Sequence, residues 1–464
     1  MRFFSAFIQR LDGSRLPEVA SSLFAGLMLG LFPLAFFSGY GSITRDKFLI
    51  LVIVCCDFTL ALLLSLVWTR RFRNPLAVFD GWTTPQKLLL LFWLLALISA
   101  VASPFPDLVL LGGRRFTGLV SLTLSVGTAL ALAGLGRWHD AYFDLIAISS
   151  LFMSVLSVCQ LLGGNPFGLY PGGMDYFDGN ELYQGRFLGA VGNVDMLSAY
   201  WCLVLPLLLG GIVLLRGKRR WLCLLALTLG VAVEAAADVD AGLLALLLSA
   251  LIFLPLLLPR RARKWAWIVL ALLLLTALLL LFFYDGPEQG TLWELSRVLH
   301  GDIRDEFGSS RVLIWKEGWR SMDSVRVWLL GSGPGTRATH FETVFERVSD
   351  SGQVIRSAVD SGHNEYLDYL LELGAPGLVL YLAALLATLA ALLGAVRAGD
   401  RRPLVLGWSL LAYCLQALFN LSSVVITPLF WTVWGLLFLA LLRLQHAGRR
   451  PVPGRVGHRA AFRL

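Results

Sequence analysis

Twelve stretches of this chain are apolar for about 18 to 22 residues at a time, the length a helix needs to cross a hydrocarbon core of about 30 Å. They are centred near Leu29, Ile53, Leu94, Ser125, Met153, Pro206, Leu229, Leu247, Leu273, Leu382, Leu411 and Trp434. In lipid the backbone must satisfy its own hydrogen bonds, so these runs predict helices. The seventh run is interrupted by Glu234. The polar start through Glu18 leads into a full-length run rather than a short signal core, so the first helix is expected to stay as an anchor. The predicted fold class is an all-α polytopic membrane protein of about twelve transmembrane helices.

Composition supports this reading over that of a soluble chain of several domains. Of 464 residues, 57% are hydrophobic and 15% charged, against about 25% charged in an average globular protein. The net charge of +8 follows topology. Arg70, Arg71 and Arg73 follow run two, Arg216 to Arg220 run six, Arg260 to Lys264 run eight, and Arg397 to Arg402 run ten, while the tail after Arg443 is basic. If the helices alternate, all these clusters share one side, which the positive-inside rule assigns to the cytoplasm with both termini. No nucleic-acid partner is implied. The chain divides into helices one to nine over 1–283, an outer-face loop over 284–362, helices ten to twelve over 363–445, and a basic tail over 446–464. The cysteines, Cys55, Cys56, Cys159, Cys202, Cys223 and Cys414, all lie in apolar runs and read as packing.

Three outer segments are longer than simple connections: Ser103 to Gly118, Gly164 to Asn193, and Tyr284 to Gly362. The first carries Arg114 and Arg115 against the positive-inside trend. The second contains Arg186. In the third, Val312, Trp315, Trp319 and Met322 recur at helical spacing among Arg311, Lys316 and Arg320, which predicts an amphipathic helix at the membrane surface from Ser310 to Met322. Leu330-Gly331-Ser332-Gly333-Pro334-Gly335 lacks the lysine of a Walker loop and reads as a turn.

The chemistry concentrates at the end of this loop, Asp360-Ser361-Gly362-His363-Asn364-Glu365. Asp360 or Ser361 can cap a helix with His363 in its first turn, where an extra positive charge is disfavoured and the imidazole tends to be neutral. Arg114, Arg115, Arg186 and Arg311 supply guanidinium groups suited to forked binding of phosphate oxygens. A neutral base with several anion clamps suits glycosyl transfer from a lipid-linked diphosphate sugar to a hydroxyl acceptor. No cofactor is needed, and no metal-ligand spacing is present. Among intramembrane acids, Asp57 reads either as a functional group or as a carboxylate buried against a polar partner.

The ordered set of Arg186-Phe187-Leu188-Gly189 with Gly192-Asn193, Arg311-x3-Trp315, the glycine-rich turn, His363-Asn364 with Tyr366-Leu367, and Glu372-Leu373-Gly374 resembles the O-antigen ligase and polymerase family across roughly Arg114 to Arg443. The resemblance implies a metal-independent GT-C type glycosyltransferase of the bacterial inner membrane, serving polysaccharide biosynthesis in the cell envelope. Its donor would be an undecaprenyl-diphosphate-linked glycan, and its acceptor a hydroxyl on a glycan, lipid or protein. It implies His363 as the catalytic histidine and Arg311 as the arginine opening the outer amphipathic helix. Asn364 and Glu372 belong to the same motif.

Family members usually place a serine-arginine pair where helices seven and eight meet; here the chain reads Ala237-Asp238-Val239-Asp240-Ala241-Gly242. Three readings stay open: the clamp has moved to Arg186 or Arg114, the acids hold a divalent cation that bridges phosphates, or the chemistry is altered or lost. Glu234 and Asp238, four residues apart, are expected on one helix face. The alternative to an enzyme is a transporter or flippase for lipid-linked glycans, with Glu234, Asp238 and Asp57 as its midplane charges. A scaffold without catalysis is a third reading.

Overall fold

The computed structural model describes residues 16–68, 81–170, 175–178, 181–184, 188–348 and 354–449. The arginines at 70, 71 and 73, Arg186, and most of the basic tail lie outside the described residues. A helix stands at each of the twelve apolar runs. In chain order they are α1 Leu16–Gly30, α2 Ile43–Trp68, α3 Thr84–Val101, α4 Leu119–Leu135, α5 Ala141–Leu161, α6 Val194–Leu214, α7 Lys218–Ala237, α8 Asp240–Leu257 and α9 Arg260–Phe282. The long loop then contributes α10 Thr291–Leu299, α11 Phe307–Arg320 and α12 Val325–Leu330, before α13 Glu365–Ala398, α14 Arg401–Gln416 and α15 Thr427–Arg449 close the bundle.

Among the described residues, nine helices are long and apolar enough to cross a membrane. A tenth span follows if the segment Pro106–Arg115, bent by 74° from α4, is counted with it. The two short members of the set of twelve are α1, with 15 residues, and α14, with 16. The protein is an all-α polytopic membrane protein.

Local chemistry sets where these helices stop. Thr83 opens α3 with a capping box to Gln86, and Asn193 opens α6 by accepting from the backbone of Asp195 and Met196. After α1 ends at Gly30, the ammonium of Lys47, buried on α2, donates to the carbonyls of Phe32 and Pro33 in the following turn at 2.7 and 2.8 Å. Those carbonyls would otherwise be orphaned at lipid depth. Helix α13 turns at Gly374, whose φ of +69° leaves room for the Trp328 carbonyl where a Cβ would stand 2.7 Å away.

One apolar core runs through the bundle, and a smaller one of Ile314, Met322, Phe341, Val359, Leu370 and Leu371 seats the loop on the first turns of α13. The most enclosed helix is α6, and α15 matches it, each with 78% of its apolar window buried. At the other extreme, α9 has no buried residue at all. Two hairpins join the outer segments: β1 Asp175–Asp178 with β2 Glu181–Gln184, and β3 Val344–Val348 with β4 Val354–Ala358.

Alternation of the helices puts Arg137, Arg216 to Arg220, Arg260 to Lys264, Arg397 to Arg402 and Arg443 at one end of the bundle, and the long loop at the other. Contacts across the bundle agree, since Arg219 pairs with Asp144 and Arg402 with Asp140 at the basic end. Two expectations are corrected. Asp57 is exposed on the outside of α2, on the face that also carries the exposed Ile53, Leu60 and Leu64, not buried against a polar partner. Cys56 is likewise exposed, whereas Cys55, Cys202, Cys223 and Cys414 are buried and free.

Candidate functional site

The site is built where the loop returns to the membrane. Asn364, not Asp360 or Ser361, caps α13: its side-chain oxygen accepts from the backbone of Tyr366 and Leu367 at 3.0 and 3.1 Å. His363 therefore precedes the helix and is not in its first turn, with φ at +43°. A non-glycine residue in this region costs energy and is held by its surroundings. Here the holding groups are Trp315 of α11, whose indole donates to the Gly362 carbonyl at 2.8 Å, and Asp368, which accepts from the Gly362 amide at 2.7 Å.

The consequence is a half-buried imidazole whose Nδ1 is enclosed with no hydrogen-bond partner among the described residues. Burial, and then the charges of Arg311 and Arg115 and more weakly Arg337, pull its pKa down to about 4 against the opposing charge of Asp360. Its neutrality comes from desolvation and three arginines, more than from a helix end. A neutral imidazole with a free nitrogen is a proton acceptor.

Of the arginines expected at the site, Arg311 and Arg115 converge on His363. Arg311 spends two donors on the carbonyls of Phe419 and Gly308 at 3.1 and 2.8 Å, which fixes its side chain at the start of the helical part of α11. Arg115 forks onto Asp360 at 2.9 and 2.8 Å. Burial would raise the Asp360 carboxyl, but the charge and hydrogen bonds of Arg115, with Arg337 and His363, hold it below its usual value. Arg114, next along the 3-10 turn Gly113–Arg115, is exposed. Arg186 lies outside the described residues.

Sequence reasoning missed Arg337. Its side chain is 3% exposed and lies 3.4 Å from Asp368 and 3.8 Å from Glu372, themselves 1% and 5% exposed. It also donates to the hydroxyl and carbonyl of Ser422 at 2.7 and 2.8 Å. The available signal was two acids four apart at the start of α13, facing a loop that carries an unassigned arginine. Glu372, expected only as a motif residue, is thus one arm of a buried ion-pair network.

The glycine-rich turn delivers Arg337. Its Ser332 and Gly333 amides donate to the carbonyls of Leu371 and Glu372 at 2.9 Å each, through the break in α13. Gly335, with φ at +73°, lies so close to the arginine turn that a Cβ would stand 2.3 Å from the Gly112 Cα. The turn is therefore a packing device that seats its backbone against α13 and the arginine turn. Beside it His340 is bonded at both ring nitrogens, to Ser321 and Ser332 at 2.8 Å each, and burial lowers its pKa. Behind the network, a cavity of about 30 Å³ lined by Phe116, Ser121, Ser125, Tyr369 and Glu372 has room for water.

The acids between α7 and α8 are arranged differently from expectation. Glu234 and Asp238 do not share a face. Glu234 is buried and accepts from the Ser198 hydroxyl at 2.5 Å, while Asp238 has left the helix in a left-handed conformation and is exposed. The hydroxyl of Thr291, first residue of α10, donates to Asp240. Among the described residues no group of three His, Cys, Asp or Glu side chains is placed to hold a metal ion.

Fold and site together define a polytopic membrane protein with a histidine-arginine centre at one membrane face. Residues 225–382, about a third of the chain, match the family model for O-antigen ligase. That match spans Asp240, Arg311, Arg337 and His363, and it supports an assignment to the O-antigen ligase and polymerase family. No curated protein gives a significant match to the chain.

Breaking the buried network is expected to be costly, because a lone buried charge is left behind. Arg337→Leu should lose about 3 to 5 kcal/mol of stability, seen as a lower melting temperature and poor yield in detergent. Adding Asp368→Asn and Glu372→Gln should recover part of that loss.

Proposed function

We propose that this protein transfers or polymerises a glycan from an undecaprenyl-diphosphate donor to a hydroxyl acceptor on the outer face of the bacterial inner membrane, with both termini cytoplasmic. The observation that carries the reading is His363, whose Nδ1 is enclosed with no hydrogen-bond partner among the described residues, and whose pKa burial and the charges of Arg311, Arg115 and Arg337 lower. Its placement at the end opposite the basic clusters supports the outer face.

In the proposed reaction the acceptor O–H gives its proton to His363 as its oxygen bonds to the anomeric carbon. The bond from that carbon to the diphosphate breaks, and the undecaprenyl diphosphate leaves with its charge offset by Arg311 and the exposed Arg114. Arg115 adds positive charge but has its fork committed to Asp360, so it acts on the field and shapes the turn that presents Arg114. Asp240 takes the role of an anchor for α10, and the clamp passes to arginines outside the α7–α8 junction. The transporter reading draws little support from Asp57 and Asp238, which are exposed, the latter at a helix end.

One consequence concerns the order of events. The same arginines that bind diphosphate depress the imidazole pKa. A bound diphosphate offsets their charge, so the histidine becomes a stronger base when the donor is present. An empty site would then hold a weak base, which limits wasteful proton abstraction.

His363→Ala should lower transfer by about 10² to 10⁴-fold in membranes that contain normal amounts of the protein; near-normal transfer would sink the assignment. The pH profile gives a second expectation. His363 is in its active, neutral form above its pKa, so kcat/KM should hold through pH 6.5 and fall only as pH approaches about 4. The acid limb of kcat, which reports the donor-bound enzyme, should lie at higher pH.

A further inference from the structure

At the end of the bundle opposite His363, a groove of about 810 Å³ runs between α1 and α5, within the size of small-molecule sites, about 300 to 1,000 Å³. Leu23 and Leu27 of α1, Leu31 just past its end and Ile148 of α5 wall it, all between 42% and 64% exposed. Its floor is low because Gly26 and Gly30 carry no side chain where α1 crosses Leu145; a Cβ on either would reach that leucine at 3.3 to 3.4 Å. From Glu18 to Leu31 the groove follows about 20 Å of helix, somewhat more than one leaflet of a hydrocarbon core about 30 Å thick.

Its mouth is polar and cationic. Arg137 and His139 line it, and His139 Nε2 lies 2.9 Å from the Ser22 hydroxyl. Arg137 and Arg402 both lie near enough to Arg443 for their charges to act on it. The acids nearby offset this cluster incompletely. Glu18 stands 3.9 Å from Arg137, and Asp140, which already accepts from Trp138, stands 3.7 Å from Arg402. Three guanidinium groups thus share two carboxylates, Glu18 paired with Arg137 at 3.9 Å and Asp140 with Arg402 at 3.7 Å, at the end of an apolar slot.

We infer that this groove binds an anionic phospholipid, with an acyl chain along α1 and α5 and its phosphate at Arg137, supported by Arg402 and Arg443. The occupant follows from charge complementarity and shape. An uncharged amphiphile would leave the arginine cluster unneutralised, and a soluble phosphate would leave the leucine walls unused. Basic groups near an anionic leaflet contribute roughly 1 kcal/mol each. The site is separate from the glycan-transfer centre and independent of its assignment.

The test uses full-length protein in neutral detergent, with retention of phosphatidylglycerol and of phosphatidylcholine after washing measured by native mass spectrometry. Phosphatidylglycerol should be retained in preference. The double variant Arg137→Gln/Arg402→Gln should weaken that retention by roughly tenfold to thirtyfold, while Arg216→Gln/Arg220→Gln, which removes equal charge from exposed positions on the same face, should leave it within about twofold. If the first double variant does not fold, as judged by its melting temperature, Ile148→Trp fills the groove from an exposed position and should give the same loss. Equal retention of the two lipids, equal loss in both charge variants, or unchanged retention in Ile148→Trp would overturn the proposal.

Discussion

A guanidinium sealed inside an apolar bundle must have partners, and the pairing of Arg337 with Asp368, Glu372 and Ser422 is the constraint on which this site rests. It ties three separate pieces of chain together: the turn after α12, the first turns of α13, and the segment between α14 and α15. Asp368 also accepts from the Gly362 amide, so the same network fixes the peptide just before His363. The histidine is held in an unusual backbone conformation because its neighbours on both sides are bonded into this network and into the α13 cap.

The electrostatic result follows from that geometry. Burial and the charges of three arginines keep one half-buried imidazole uncharged, with its Nδ1 unpartnered among the described residues. The site is then selective for an anion by charge and reactive toward a proton by desolvation. A diphosphate-linked substrate satisfies the first property and a hydroxyl acceptor the second. Asp360 tempers the field by engaging Arg115, which leaves Arg114 and Arg311 as the arms closest to open space.

Much of the architecture was legible in the chain because the bilayer imposes a length and a polarity that sequence records directly. Each of the twelve apolar runs holds a helix, and the basic clusters among the described residues gather at one end. His363 and Arg311 were legible as a pair because the loop's amphipathic stretch and the helix start at Glu365 bracket them. Arg337 was not, since its role depends on a glycine turn packing across a broken helix, a contact between segments about forty residues apart. The capping by Asn364 was missed for a local reason. Asp, Ser and Asn all cap helices, and only the left-handed turn at His363 decides among them. Glu234 and Asp238 read as one helical face, but the helix ends between them.

The central claim is that one neutral histidine and a set of arginines act on a single diphosphate. The most direct measurement is a structure of the protein with an undecaprenyl-diphosphate-linked glycan analogue bound in a lipid nanodisc. The account predicts the diphosphate between Arg311 and Arg114, with the His363 imidazole within hydrogen-bonding reach of the acceptor position beside the anomeric carbon. A diphosphate bound elsewhere, with His363 facing only protein, would contradict it.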